Sequence, residues 1–295
     1  MNKACNGEFF EPTGRKCLLI LHDKKEGARQ FALNAADYLR SHQYQVDSIS
    51  YDLLPKCECH QYAFALLFGG DGLALMAGVC LSRCHLPILV INLGQVGFMA
   101  AFDLENWQHA LDELMAGRLG MRRHQALEFT LDDWATHYLA MNEVFLAAEE
   151  RFKICEFDLS IGLCDSLGLM RSDGLMISTP TGSTGHALSC GGPLLDTNVR
   201  ALLILAVNPY TTAYRPLLIS DRQSVRVRLA QSNRNKVLLI RDGRCMTELQ
   251  PQMTLQLRLS GQYADFICAR DHSFYQTIQK KLGWNTGVIY QKDGA

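Results

Sequence analysis

The chain has 295 residues, 48% apolar and 20% charged, with a formal net charge of −1, the balance of a globular protein long enough for two cores. No basic block stands anywhere along it, which excludes a nucleic-acid-binding surface, and its longest apolar runs, FALLF and LLILAV, fall far short of the ~20 residues of a membrane span. MNKACNGEFF carries no signal-peptide pattern, so the protein is expected in the cytoplasm, off the membrane, with its eleven cysteines reduced and mostly buried as small core residues.

The first 120 residues alternate short apolar runs with helical spacing. CLLIL (17–21) reads as a buried strand. Ala28, Phe31, Ala35, Tyr38 and Leu39 then line one face of a helix. YQVDSI and YAFALLF are further strands, LALMAGVCLSR is a helix and PILVIN a fourth strand. LENWQHALDELMAG puts Leu104, Trp107, Leu111 and Leu114 on one helical face, with Gly117 as the stop. This alternation predicts an α/β domain over 1–122 with an open, mostly parallel sheet. Cys57, Cys59 and His60, with Cys80, Cys84 and His85, lack paired C-x-x-C hooks, so no metal site is read there.

After about residue 122 the rhythm becomes strand-like. QALEFTLDD, ATHYLAMNEVFLA, KICEFDLSI, SVRVRLA, NKVLLIRDGR and MTLQLRLS predict an all-β sandwich over 123–270, with Asp242-Gly243 as a hairpin turn. Residues 271–295 return to helical spacing and are expected to dock back on the first domain. His22, His85 and His124 have no partner spacing and read as structural or exposed.

Three stretches carry chemistry. Gly69, Gly70, Asp71 and Gly72 follow a buried strand and precede a helix, where glycines let backbone approach a phosphate and the helix adds its positive end. Asp71 could accept a proton from an attacking hydroxyl or help hold magnesium; the alternative is a helix cap. The turn is neither a Walker loop nor G-x-G-x-x-G. Asn92, Gly94, Gly97 and Phe98 close the next strand, and Phe98 either stacks on a ligand ring or belongs to the core. In SDGLMISTPTGSTGHALSCGGPLLD, LMIST is a strand ended by Pro180, and Thr181 or Ser183 caps a helix. Gly182 and Gly185 would form an anion nest, with the hydroxyls of Thr181, Ser183 and Thr184 as uncharged donors and Gly191 and Gly192 allowing close approach. The alternative is a structural cap with a glycine-rich exit.

Together these motifs resemble the NAD kinase family: GGDG at 69, NLGQVGF at 92, NEV at 142, SDGLMISTPTGSTGHALSCGGP at 172 and RPLLIS at 215, in order, over roughly residues 17 to 285. GGDG alone is shared with diacylglycerol and sphingosine kinases, which lack the Thr-Pro-Thr-Gly-Ser-Thr run. The resemblance implies transfer of the ATP γ-phosphoryl group to the 2′-hydroxyl of the adenosine ribose of NAD, with magnesium or another divalent cation accompanying ATP. Asp71 would be the base, in one turn with Gly69, Gly70 and Gly72. Asn142 and Glu143 would hold the ribose and adenine side, although strand alternation points them to opposite faces unless the strand ends there. Asp173 would contact the nicotinamide end, Thr184 and Gly185 would line the dinucleotide site with Thr181 and Ser183, and Phe98 would pack on a ring. The family assembles as dimers or tetramers with sites completed across subunits. The chain departs from it at Gly185-His186, where relatives carry Ala-Tyr, and at Leu73, where many carry Thr or Asn. Arg171 resembles an arginine of some bacterial members and reads equally as a surface residue. Asp242 reads as a hairpin turn only. A kinase with another acceptor, lipids included, and a non-catalytic NAD sensor stay open beside the NAD kinase reading.

Overall fold

The computed structural model describes residues 8–22, 26–94, 97–132, 136–150, 153–162, 165–270 and 273–283. After a short strand β1 (Glu8–Phe10) come β2 (Lys16–Leu21), α1 (Glu26–Ser41), β3 (Gln45–Ser50), β4 (Phe64–Phe68), α2 (Asp71–Leu81), β5 (Ile88–Asn92), β6 (Phe102–Asp103) and α3 (Trp107–Met115). Hydrogen bonding orders the parallel strands β3–β2–β4–β5–β6. Every residue of β4 and β5 is buried, as a strand covered on both faces requires. Ala32, Ala35 and Leu39 of α1 and Trp107, Leu111 and Leu114 of α3 share one core with Leu19, Leu66 and Leu89. Leu73, Ala74, Ala77 and Leu81 of α2 pack the opposite face with Leu18, Leu67 and Val90. Gly117 ends the α3 segment at φ +65°, the left-handed conformation glycine adopts without strain.

The second half contains β7 (Leu119–Leu131), β8 (Tyr138–Ala140), β9 (Glu143–Ala148), β10 (Cys155–Ile161), β11 (Asp165–Ser178), α4 (His186–Ser189), β12 (Ala201–Pro209), β13 (Leu217–Ser220), β14 (Ser224–Leu229), β15 (Val237–Arg241), β16 (Arg244–Leu249), β17 (Thr254–Cys268) and α5 (Phe274–Leu282). The rows β8–β7–β17–β14–β10 and β16–β15–β9–β11–β12–β13 join where β10 pairs β11. Between them lies a core containing Phe129, Leu146, Phe157, Ile177, Ile204, Val227, Leu239 and Leu257. β7 and β17 pair antiparallel from Leu131↔Leu255 to Gly120↔Cys268, and Phe266 of β17 lies parallel to Ile88 of β5. Two long strands therefore run out of the sandwich into the parallel sheet, and position 122/123 falls inside β7.

Three expectations are corrected. The strand read over 135–147 is broken at Met141-Asn142, with β8 before the break and β9 after it. The helix read from Thr181 is a single 3-10 turn, Gly182–Thr184, followed by the four-residue α4. The cysteines are not all thiols: Cys59 and Cys84 form a disulfide, their Cα atoms 6.2 Å apart. The turn that follows α2 carries Cys84 to the 57–60 segment, a proximity invisible to reasoning from compartment. Cys17, Cys57, Cys80, Cys155, Cys190 and Cys245 are free thiols.

His124 of β7 is buried, its Nδ1 3.0 Å from the Thr181 hydroxyl and its ring edge-on to Phe266. Burial, with Arg122 nearby, pushes its pKa down to about 4. The unfolded chain then binds the extra proton between pH 6.5 and 4, so stability falls as pH falls through that window, by about 3 kcal/mol in full. His124→Gln, which does not titrate, is expected to flatten this part of the acid limb in urea unfolding at pH 7 and pH 4.5. Parallel limbs in both proteins would count against it.

Candidate functional site

β4 ends at Phe68, Gly69 still donates to the Ile91 carbonyl at 3.0 Å, and α2 starts at Asp71 behind an extended Gly70. Asp71 does not cap its own helix. Its Oδ2 accepts the Phe98 N–H at 2.9 Å and its Oδ1 the Met99 N–H at 3.1 Å, tying the turns after β4 and β5 together. A Cβ on Gly97 would fall on Asp71 Oδ1, so this turn needs glycine there. The Asp71 side chain is 33% exposed, and Lys281 Nζ of α5 lies 3.7 Å from its Oδ2. The same ammonium sits 4.6 Å above the half-buried Phe98 ring, and Phe274 approaches that ring at 6.4 Å. These contacts set α5 against the turns after β4 and β5; residues 271–272 and 284–295 of the expected C-terminal segment lie outside the described residues.

The second element is the break at Met141-Asn142. The Asp242 carboxylate accepts three consecutive N–H groups, from Met141 at 2.9 Å, Asn142 at 2.7 Å and Glu143 at 3.2 Å. Asp242 and Gly243 both have positive φ, as a tight hairpin demands, so Asp242 is turn residue and acceptor at once. On the other side the Thr179 hydroxyl donates to Met141 O at 2.7 Å, and Thr179 N–H and the Ser178 hydroxyl donate to Asn142 O at 2.8 and 3.2 Å. A Cβ on Gly182 would overlap Asn142 O. The break lets Asn142 stay half-exposed while Glu143 is buried at the start of β9. Among the described residues Glu143 Oε2 finds no hydrogen-bond partner, and burial, then the Asp242 charge, raises its pKa to about 7. Burial raises the Asp242 pKa too, against the lowering effect of its three N–H donors. Met141 packs on α2 beside Gly78, which places the Asn142 loop about 10 Å along that helix from Asp71.

The small polar run lies beneath this loop. Ser183 Oγ donates to Pro180 O at 2.6 Å and accepts the Leu195 N–H at 2.9 Å; Thr181 meets His124; Thr184 Oγ1 donates to Thr181 O at 2.9 Å. The N–H groups of Gly182, Ser183, Thr184 and Gly185 go to Thr179 Oγ1, Thr179 O, Thr181 O and Gly182 O. The expected anion nest is not formed, because 3-10 bonding and a hydroxyl consume its donors. Open surface is left at half-buried Gly185 and at exposed His186, edge-on to Phe145 at 5.1 Å. Asp173 stands apart, bonded by Asn208 at 3.1 Å and five residues before Ser178 on β11, about 16 Å away. Arg171 pairs with Glu156 at 3.2 Å and lies 5.0 Å from the Tyr210 ring. Sequence reasoning missed Asp242 and Thr179 as supports and Lys281 as a neighbour of Asp71; the Asp-Gly turn was visible, its acceptor role was not.

Residues 21–119 match a sequence-family model described as the ATP-NAD kinase N-terminal domain, and residues 141–269 match one described as the ATP-NAD kinase C-terminal domain. The chain is 31% identical over 289 residues to a protein of Treponema pallidum named NAD kinase, covering 95% of this chain and 92% of that one. It is 30% identical over 293 residues to NAD kinase 2 of Prochlorococcus marinus, covering 92% and 96%. Its fold matches that of yeast NADH kinase complexed with NADH, with a TM-score of 0.79 at 21% identity over 94% of this chain and 90% of that one. It also matches an NAD kinase from Archaeoglobus fulgidus in complex with ATP, with a TM-score of 0.72 at 20% identity over 92% and 99%.

Asp242→Ala strands three N–H groups and is expected to destabilise the protein by about 3 kcal/mol or more, with Asp242→Asn milder, in denaturant unfolding. A loss below about 1 kcal/mol for Ala would contradict the clamp. Glu143 titrates higher folded than unfolded, so the wild type loses stability as pH rises from 4.5 to about 7. Glu143→Gln should therefore gain on the wild type across that range, by up to about 3 kcal/mol. A pH-independent difference would refute the burial of that carboxylate.

Proposed function

The chain belongs to the ATP-NAD kinase family, and we propose that it transfers the γ-phosphoryl group of ATP to the 2′-hydroxyl of the adenosine ribose of NAD, giving NADP, with Asp71 as general base. The observation that carries the role of Asp71 is its carboxylate, oriented by the Phe98 and Met99 N–H groups yet one-third exposed in a glycine turn at the carboxyl end of β4. Asp71 takes the hydroxyl proton as the ribose oxygen attacks the γ-phosphorus. The bond to the bridging oxygen breaks and ADP leaves.

The dinucleotide lies along α2 from Asp71 to the Asn142 loop. Glu143 Oε2, buried without a partner, accepts a ligand hydroxyl or amino donor, and Asn142 lies beside it. Thr184, Gly185 and His186 border this end, and Phe98 offers part of its ring face. Thr181 and Ser183 act from beneath, by shaping the Asn142 loop. Asp173, distant along β11, serves the nicotinamide end. Among the described residues no three His, Cys, Asp or Glu side chains gather to hold a metal, and Asp71 is a lone carboxylate. In this reading a divalent cation arrives with ATP, on its phosphates, as part of the substrate.

Self-association as a dimer or tetramer is part of the same reading. The exposed Leu217 and Leu218 on the edge strand β13, with Tyr210 nearby in sequence, support it. So is a cytoplasmic location; among the described residues no helix is long and apolar enough to cross a membrane.

A coupled assay with NAD, ATP and magnesium, read by an NADP-specific dehydrogenase, tests the reaction. Wild type should form NADP and Asp71→Asn should lose about 10²- to 10⁴-fold in kcat. A variant as fast as wild type removes Asp71 from the chemistry. A folded wild type that binds NAD without turnover makes the chain a sensor.

A further inference from the structure

α5 brings a cation to a site whose reaction needs one. Thr277 and Ile278 are buried, and Lys281 follows them by four and three residues, on the same helical face. Phe274 touches the Phe98 side of the site, and the Tyr275 hydroxyl donates to Asp196 at 2.8 Å, so α5 is anchored at both domains. That anchoring sets Lys281 Nζ 3.7 Å from Asp71 Oδ2 and 4.6 Å over the Phe98 ring, with its side chain 28% exposed.

Resting on the kinase reading above, we propose that Lys281 is a catalytic residue, the cation that contacts the transferring phosphoryl group beside Asp71. A base carboxylate and a phosphoryl group in flight are both anionic, and they must meet at one hydroxyl. Left alone they repel, and charge accumulates on the phosphoryl oxygens as the bond to ADP breaks. An ammonium held between them lowers both costs. The geometry suits this task. At 3.7 Å the lysine is paired with Asp71 electrostatically without consuming it, since each carboxylate oxygen has more than the one lone pair its backbone N–H uses. The ammonium has three donors to turn toward phosphoryl oxygens, and the aromatic face beneath holds it without neutralising it. The 3-10 turn at 182–184 spends its N–H groups internally and cannot supply this charge.

The test uses the full chain and steady-state kinetics with NAD, ATP and magnesium. Lys281→Gln is expected to lower kcat about 10²-fold with KM for NAD little changed. Lys281→Arg should recover part of the loss, because it restores charge in a different shape. Lys281→Ala should be rescued by added ethylammonium in a concentration-dependent manner, a response that a packing role would not give. Matched melting temperatures establish that each variant is folded, and Asp71→Asn is run alongside. An unchanged kcat in Lys281→Gln, a loss confined to KM, or no amine rescue overturns the proposal. A faster Lys281→Gln also overturns it and makes α5 an inhibitory lid. Loss in Asp71→Asn with no loss in Lys281→Gln refutes the lysine and keeps the base. Activity kept in Asp71→Asn refutes the base reading instead.

Discussion

Three consecutive N–H groups, those of Met141, Asn142 and Glu143, converge on the carboxylate of Asp242. Consecutive N–H groups in a strand point to opposite sides, so they can share one acceptor only if the backbone leaves the extended conformation. The strand break at 141–142 is the geometric consequence. Burying a carboxylate is costly unless its oxygens are satisfied, and three short N–H contacts satisfy them. Ser178 and Thr179 then take the carbonyls of the same peptides, and Gly182 removes the side chain that would collide with Asn142. The loop is held from both faces, which is how Asn142 stays open while Glu143 keeps a buried oxygen without a protein partner.

Asp71 uses the same chemistry with a different outcome. It too accepts backbone N–H groups from another turn, but two of them, and its side chain is one-third exposed. Asp242 is committed to the fold by its three N–H partners. Asp71 is oriented by the fold and retains capacity. Two N–H donors against three distinguish the Asp71 carboxylate from the supporting Asp242 carboxylate, although both sit in glycine-containing turns that look alike in sequence.

How far the sequence foretold this follows from the range of the forces involved. The parallel domain was legible because strands covered on both faces must be apolar throughout, and FALLF and ILVIN are. α1 was legible because its buried alanines and leucine recur at helical spacing. Asp71 and Phe98 could be singled out, but not that the Phe98 and Met99 N–H groups would bind the Asp71 carboxylate. The break at 141–142 was hidden because its cause lies a hundred residues away at Asp242. The run at 179–185 was read as donors for a ligand because hydroxyl count says nothing about which way a hydroxyl turns. Lys281 has no local pattern at all; only the docking of α5 gives it a neighbour. The disulfide between Cys59 and Cys84 likewise follows from tertiary proximity.

The inward turn of those hydroxyls changes how charge is distributed over the site. Had the 179–185 stretch formed an anion nest, phosphate recognition would sit at the end of β11, beside the buried Glu143. A carboxylate already raised by burial and by Asp242 is a poor neighbour for a phosphate. The structure instead sets the Asn142 loop beside two carboxylates, Asp242 on its N–H groups and the buried Glu143, which suit ligand hydrogen-bond donors. It puts the opposite charges of Asp71 and Lys281 at the other end of α2, under the positive end of that helix. The two strands that cross from sandwich to sheet fix the separation between these ends, since β17 pairs with β7 on both sides of an interruption at 260–262 and with β5 at Phe266. In the proposed reading, a dinucleotide spanning them offers hydrogen-bond donors to Glu143 at one end and its acceptor hydroxyl to Asp71 at the other, and that division follows from where each carboxylate finds its N–H partners.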